Sequence, residues 1–581
     1  MAETIISPGV FARENDISFI APAPIAVGAA IIGPTVKGPV EIPTRVTSYN
    51  DYSRKFGVTF ESGSSVQEYL TSLAVKNYFE QGGDSVLVTR IVSASSGWAS
   101  ATSTHVSASD AGSSQPFVIK TKGKGVLYNN NSGSIYNSGS TEQNSDGSLK
   151  SGSADNLRWE ISNVDATKGT FTLLVRRGDD NVNNKIVLET FNDLSLDPNS
   201  SNYIASVIGD QVQAISGDAS QVTVTGDYPS KSNYIYVSAV NLPTLNFIGN
   251  NGLRRVDAFT GSLPTAQVGS FHGATGTNVK AGAKFFGSID NTDTQGLAGT
   301  DYANAITLLG NKDDYQFNII SAPGLCYEFA THKTQLDNIV SLASSRGDAI
   351  AVVDLVGYGD TVANTVSKAA SINSSYAASY WPWLQMQSAT GKNSWVPASV
   401  VIPGIYAFTD NSSAPWFAPA GLVRGGVTGV IQAEKRLTRS DRDTLYNGKV
   451  NPIATFPGTG IAVFGQKTLQ TQASALDRVN VRRLLIDLKK FIGDQARNLV
   501  FEQNTIATRN SFLAAVNPYL DSVVQRQGLY AYRVVMDDTN NTPDVVDRNQ
   551  LVGQIFIQPA KTAEFIVLDF VVEPTGATFE V

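Results

Sequence analysis

Three histidines, one cysteine and a few glycine, aspartate and aromatic clusters are the residues whose chemistry could reach beyond packing. His105, His272 and His332 lie far apart, and none is adjacent to an acidic residue or at metal-ligand spacing from another. Cys326 stands alone, which rules out an internal disulfide and a thiolate cluster, and it is expected in a core. The "GKG" of 123–125 lacks the Lys-Ser/Thr pair and the strand-to-helix setting of a phosphate loop, so it reads as a turn. "DRDTLYNG" from Asp441 has the aspartates of a calcium loop, but Asn447 and Gly448 are out of register and the bidentate acid is missing. "RGD" at 346–348 falls between a helix end and a buried strand and is expected to be structural. "YWPWL" at 380–384 could form a carbohydrate platform, although aromatics flanking a strand more often fill a core. The 51 acidic residues show no spacing that singles out a general acid with a base. These residues predict no catalytic centre, no metal and no cofactor.

The elements that would carry any site are plentiful. With 581 residues, 42% of them hydrophobic and 16% charged, the chain can build several cores, and its low charged fraction suits a surface that ends against other protein. A net charge of −7 without any Lys/Arg run argues against a nucleic-acid or anionic-membrane binder. The opening residues lack a basic segment followed by an apolar one, and no window approaches eighteen apolar residues, so neither a secretory signal nor membrane insertion is expected, and synthesis in a cytoplasm is.

Hydrophobic periodicity predicts an α+β multidomain fold. Ser65 and Glu68 fit a capping box for a helix through Val66, Tyr69, Leu70 and Leu73, stopped by Gly82 and Gly83, with a buried strand at 85–92 behind it. From about 94 to 300 the texture turns to Ser, Thr, Asn and Gly around short alternating runs such as "TFTLLVRR" and "NYIYVSAV", which reads as one or two β-rich domains inserted into an α/β core and facing outward. After Leu308 the α/β rhythm resumes with strands at "FNIISAP" and "AIAVVDL" and helices over about 332–345 and 361–372. A long helix from Asn480 to about Phe501 follows, placing Arg482, Arg483, Lys489 and Lys490 off its apolar stripe. A second, from about Ile506 to Arg526, is interrupted by Pro518. "LYAYRVVMDD" and "LVGQIFIQPA" complete a small α+β domain.

The end of the sequence is strand-like twice over. Ile566, Leu568, Phe570 and Val572 share one side of a run that breaks at Pro574 and Gly576, after which Ala577, Phe579 and Val581 alternate with Thr578 and Glu580. Five residues make no sheet and need an open edge elsewhere. From Glu573 to Val581 an extended chain reaches roughly 30 Å.

Several strings resemble the contractile tail sheath family of bacteriophages and related contractile injection systems. They are "ISPGVF" at 6–11, "GPTVKGPVEIPTRVTSYNDYSRKFG" at 33–57, "AVKNYFEQGGDSVLVTRI" at 74–91, "FNDLSLDPNSSNYI" at 191–204, "NPIATFPGTGIAVFGQKTL" at 451–469, "NVRRLLIDLKKFIGDQARNLVFEQN" at 480–504 and "PAKTAEFIVLDF" at 559–570. The resemblance implies a homo-oligomer, a helical stack of sixfold rings around an inner tail tube protein, with baseplate and tail terminator proteins at its ends. Such a sheath contracts from a metastable extended state to drive the tube through a cell envelope, and sits in a virion tail or a contractile injection particle. The resemblance also implies an arm at 1–25, with Asp16, Ile17, Ser18, Phe19 and Ile20 exchanged into a neighbour, and a second at 573–581, with Ala577, Thr578, Phe579, Glu580 and Val581 exchanged beyond the Pro574–Gly576 hinge. Between them it implies an α/β core from 26–93 plus 301–449, the outer insertion 94–300, and an inner domain 450–572 whose Arg482, Arg483, Lys489 and Lys490 face the tube. A carbohydrate-binding or adhesion protein using the β-rich insertion is the competing expectation.

Overall fold

The structure is a computed structural model that describes residues 28–564 apart from 63–64, 94–96, 109–114, 131–142, 257–260, 279 and 281. Its centre is an eight-stranded sheet. In chain order the strands are β1 (Ala29–Gly33), β2 (Thr44–Val46), β3 (Val86–Arg90), β4 (Ile319–Cys326), β5 (Ile350–Asp354), β6 (Ala377–Trp381), β7 (Asn451–Phe456) and β8 (Gly460–Val463). In space they run β2-β3-β1-β4-β5-β6-β7-β8. The six inner strands are parallel, and β2 and β8 close the two edges antiparallel.

The sequences explain the arrangement. "AAIIG", "IAVVD" and "AASYW" are apolar without alternation and every residue in them is buried, as a parallel sheet covered on both faces requires. Ala29 and Ile31 enter one core, while Ala30 and Ile32 enter the other. Helices α1 (Leu70–Glu80) and α3 (Ile402–Ser412) cover the first face, and α2 (Ala330–Arg346) covers the second. Gly33 permits the close approach of α1, since a Cβ there would stand 2.3 Å from the Thr71 hydroxyl.

Three expectations need correction. Ser65–Glu68 does not cap a helix but pairs as an antiparallel strand with Thr59–Ser62. The buried Glu68 carboxylate accepts from the Ser72 hydroxyl at 2.7 Å and the Ala389 amide at 2.6 Å, and the amide at the start of α1 donates instead to Gln295 at 2.7 Å, 225 residues away. Strands β7 and β8 belong to the central sheet, so the boundary expected at 449/450 falls inside it. The last long helix, α5 (Ile506–Gln525), runs through Pro518 without a break, and follows α4 (Val479–Arg497).

Among the described residues the insertion forms a two-stranded hairpin, 212–215 with 222–225, and two four-stranded sheets. One joins 187–195, 170–177, 157–165 and 267–269, the other 235–240, 117–124, 100–103 and 271–272. Phe117, Trp159, Phe171, Leu173 and Phe271 pack between them in one shared core. At the root, the buried Arg90 guanidinium donates to the carbonyls of Gly38 and Lys124 and to Asn278, tying insertion to core.

Where β5 ends, the fully buried Asp354 carboxylate accepts the Ser399 amide at 3.1 Å and meets its hydroxyl. Burial pushes this carboxyl up to about 7 against the hydrogen bonds from Ser399. The unfolded chain ionises it near 3.9, so the native state holds the extra proton between about 4 and 7, and stability falls by up to roughly 4 kcal/mol as pH rises across that window. Asp354→Asn stays neutral and can donate to the Ser399 hydroxyl. Thermal melts are expected to place it above the parent at pH 8 and level with it at pH 4; an equal shift at both contradicts the assignment.

Candidate assembly surface

Beyond α5 the chain makes a hairpin, β9 (Leu529–Val535) and β10 (Gln554–Pro559). The two pair antiparallel from Leu529 opposite Pro559 to Val535 opposite Gln554, with a register shift between Leu529 and Ala531. One face is apolar: Leu529, Tyr532, Val534, Ile555 and Ile557 pack with Leu484 and Leu488 of α4 and Phe512, Val516 and Leu520 of α5. Outward point Tyr530 and Phe556, 65% and 55% exposed, with Gln554 and Gln558. Among the described residues no third strand joins this hairpin, so each of its strands has one edge of amides and carbonyls without a ladder partner. Two strands resting on two helices are a minimal sheet, and widening it on either side adds ladder bonds.

Past Pro559 the chain is anchored. The Glu564 carboxylate accepts from the Arg478 guanidinium at 2.7 and 3.0 Å, from the Tyr446 hydroxyl at 2.7 Å and from Gln466 at 3.1 Å. Burial pushes its pKa up, but these bonds outweigh burial and hold it below the usual range. At the other end of the described chain, the Gly28 carbonyl accepts the Asn318 amide at 3.0 Å, and Gly28 lines a cavity of about 220 Å³ together with Arg483, Ile486 and Asp487 of α4. Both ends of the described chain therefore lie against the first half of α4, Glu564 through the residue that precedes it. The expected arms, Asp16–Ile20 and Ala577–Val581, and the hinge at Pro574 and Gly576 lie outside the described residues.

The expected tube-facing cations separate into two pairs. Arg482 and Arg483 are 4% exposed each and are spent inside the chain. Arg482 stacks 3.9 Å above the Tyr376 ring and bonds the Ser375 hydroxyl. Arg483 meets both oxygens of Asp410 at 2.6 Å and lies 4.5 Å above the Tyr406 ring. Burial raises the Asp410 pKa, with Arg483 opposing. Helical spacing put these arginines off the apolar stripe, but the start of α4 is wedged between two domains and buried all round, and Asp410 lies 73 residues away on α3. Lys489 is exposed, with Nζ 3.2 Å from the Tyr376 hydroxyl, and Lys490 is half-buried, its pKa lowered by burial.

The other candidates fall into the core. Trp381 and Trp383 are 2% exposed each, which removes "YWPWL" as a carbohydrate platform. His332 is buried and its Nδ1 accepts the Cys326 amide at 3.3 Å. Arg346 of the "RGD" is buried and paired with Asp348 at 2.9 Å. Residues 439–447 form a helix whose Thr438–Asp441 box caps its start. Among the described residues no group of three His, Cys, Asp or Glu side chains is placed to hold a metal ion.

Removing one partner of a buried pair leaves the other charge uncompensated, so Arg483→Ala is expected to destabilise by about 3 kcal/mol, whereas Lys489→Ala stays within about 0.5 kcal/mol. Denaturant unfolding checks both, and equal effects contradict the division. Glu564→Ala is expected to speed proteolysis near residues 560–564 while leaving the core melt almost unchanged; unaltered cleavage contradicts the anchor.

Residues 295–469 match the phage tail sheath protein central domain, and 471–573 match the phage tail sheath C-terminal domain. The tail sheath protein of Vibrio phage KVP40 is 31% identical over 395 residues, covering 66% of this chain and 57% of that protein. The tail sheath protein of Enterobacteria phage T4 is 32% identical over 356 residues, covering 60% of this chain and 50% of that protein. The chain thus spans about half the length of the relatives it matches. A crystal structure of a sheath tail protein from Listeria innocua shares the fold, with a TM-score of 0.53 over 92% of this chain and 95% of that one at 11% identity. Residues 295–573 thus carry the central and C-terminal domains of phage tail sheath proteins.

Proposed function

We propose that this chain is the subunit of a contractile sheath that polymerises helically around an inner tube and shortens to drive the tube through a target envelope. The observation that carries the reading is the β9–β10 hairpin, two strands on two helices with both outer edges open among the described residues. The arm at 573–581 of one neighbour and the arm at 1–25 of another supply the missing strands, so each subunit is completed by two others. Each added ladder bond contributes about 0.5–1.5 kcal/mol net, and a five-residue arm alone holds weakly. Every subunit gives two arms and receives two, so a polymer multiplies these links. The tethers stay connected while the rigid bodies turn, which gives contraction its form: one mesh in two packings, the extended one trapped behind a barrier and the contracted one lower in free energy.

In this reading the partners are further copies of the chain in stacked rings, sixfold by family resemblance, the tube protein inside, and baseplate and terminator proteins at the ends. The assembly belongs to a virion tail or a phage-like injection particle and forms in a bacterial cytoplasm. The inner position falls to the C-terminal domain, with the polar insertion turned outward. A polar grip on the tube releases readily, because exposed ion pairs are weak and screened by salt.

Purified chain is expected to form tubes or rings in negative stain. Deleting residues 573–581 should leave the thermal melt almost unchanged and abolish the tubes. A truncated chain that still builds tubes able to shorten contradicts strand exchange.

A further inference from the structure

Where the second half of α4 passes the end of α2, the core and the C-terminal domain leave a cleft of about 370 Å³. Its charged lining is unbalanced. Lys312, Lys489, Lys490, Arg497 and Arg346 face it, against the carboxylates of Asp348 and Asp494. Arg346 is held by Asp348 and by the carbonyls of Leu309 and Tyr315. Lys312 donates to the last carbonyls of α2, at Ser345 and Arg346. Arg497 reaches Asp313 at 3.5 Å, but both side chains are largely exposed, so that contact holds little. In a chain of net charge −7, the cleft is a local basic patch.

The opposite charge lies on the same domain. Between β9 and β10 run residues 537–547, with Asp537, Asp538, Asp544 and Asp547 and no lysine or arginine among them. Asp538 meets Arg509 and Asp544 meets Arg548, yet Asp538 and Asp544 keep about three quarters of their side-chain surface exposed, and Asp547 is exposed as well.

We propose that the basic cleft receives the 537–547 run of a second copy. The proposal rests on the sheath reading, in which copies lie side by side, and adds a second kind of contact to strand exchange. The run links the two strands that offer open edges, so seating it in a neighbour's cleft holds the hairpin beside that neighbour. The charges act at a distance, before any ladder bond can form, and so steer encounter and fix register. Arm insertion then secures what the charges aligned.

A charge swap tests it on the full chain. The variants are Lys489→Glu with Arg497→Glu, Asp544→Lys with Asp547→Lys, and all four together, each checked by thermal melt. If the reversed cleft lowers the melt, Lys489→Gln with Arg497→Gln replaces it. Polymerisation is followed by sedimentation and negative stain at low and high salt. Each pair alone is expected to slow polymerisation about tenfold at low salt, and the four together to restore it. The parent's rate is expected to fall as salt rises. A pair that polymerises like the parent overturns the proposal, and so do two slow pairs that the combination fails to rescue, which would assign the cleft to a different partner. A parent chain that forms no polymer overturns the sheath reading itself, and an arm-deletion defect with unaffected charge variants overturns the cleft contact alone.

Discussion

A sheet has to end somewhere, and what it does at its edges governs whether the molecule stands alone. In the central sheet the two edges are the short antiparallel strands β2 and β8, and the parallel interior is covered on both faces. In the β9–β10 hairpin the apolar side is satisfied by α4 and α5, while the outer backbone groups have no ladder partner among the described residues. Open edges are templates for another chain, and most proteins blunt them. Here Tyr530 and Phe556 stand exposed on the outer face, with the exposed Arg533 opposite Phe556.

The two ends of the described chain bear on this through α4. Gly28 and Glu564 lie at its first half, the one through a shared cavity with Arg483 and Asp487, the other through Arg478. The same stretch of helix holds core and C-terminal domain together through the Arg483–Asp410 pair.

Much of this architecture was legible in the sequence. Strands β3, β4, β5 and β6 stand out because they are apolar without alternation, and the insertion because turn residues punctuate short alternating runs. What stayed hidden depends on distant partners. Ser65 and Glu68 have the spacing of a capping box, yet Glu68 is claimed by Ala389 and the helix start by Gln295, and no local pattern announces either. Arg482 and Arg483 read as tube-facing charges off the apolar stripe because Ser375, Tyr376 and Asp410 lie 73 to 107 residues away in sequence. The hairpin itself was visible in the alternation of Gln554, Ile555, Phe556, Ile557 and Gln558, but its lack of further strands is a property of the sheet and not of the run. The basic cleft joins residues from 312 to 497 and emerges only when the domains meet.

Amide hydrogen exchange over residues 529–535 and 554–559, compared between dispersed chain and assembled tubes, reaches the central claim most directly. Amides that pair β9 with β10 should be protected in both states, while those on the two outer edges should exchange freely in the dispersed chain and become protected on assembly. Outer-edge amides equally protected before and after assembly, or unprotected in the tubes, would contradict it.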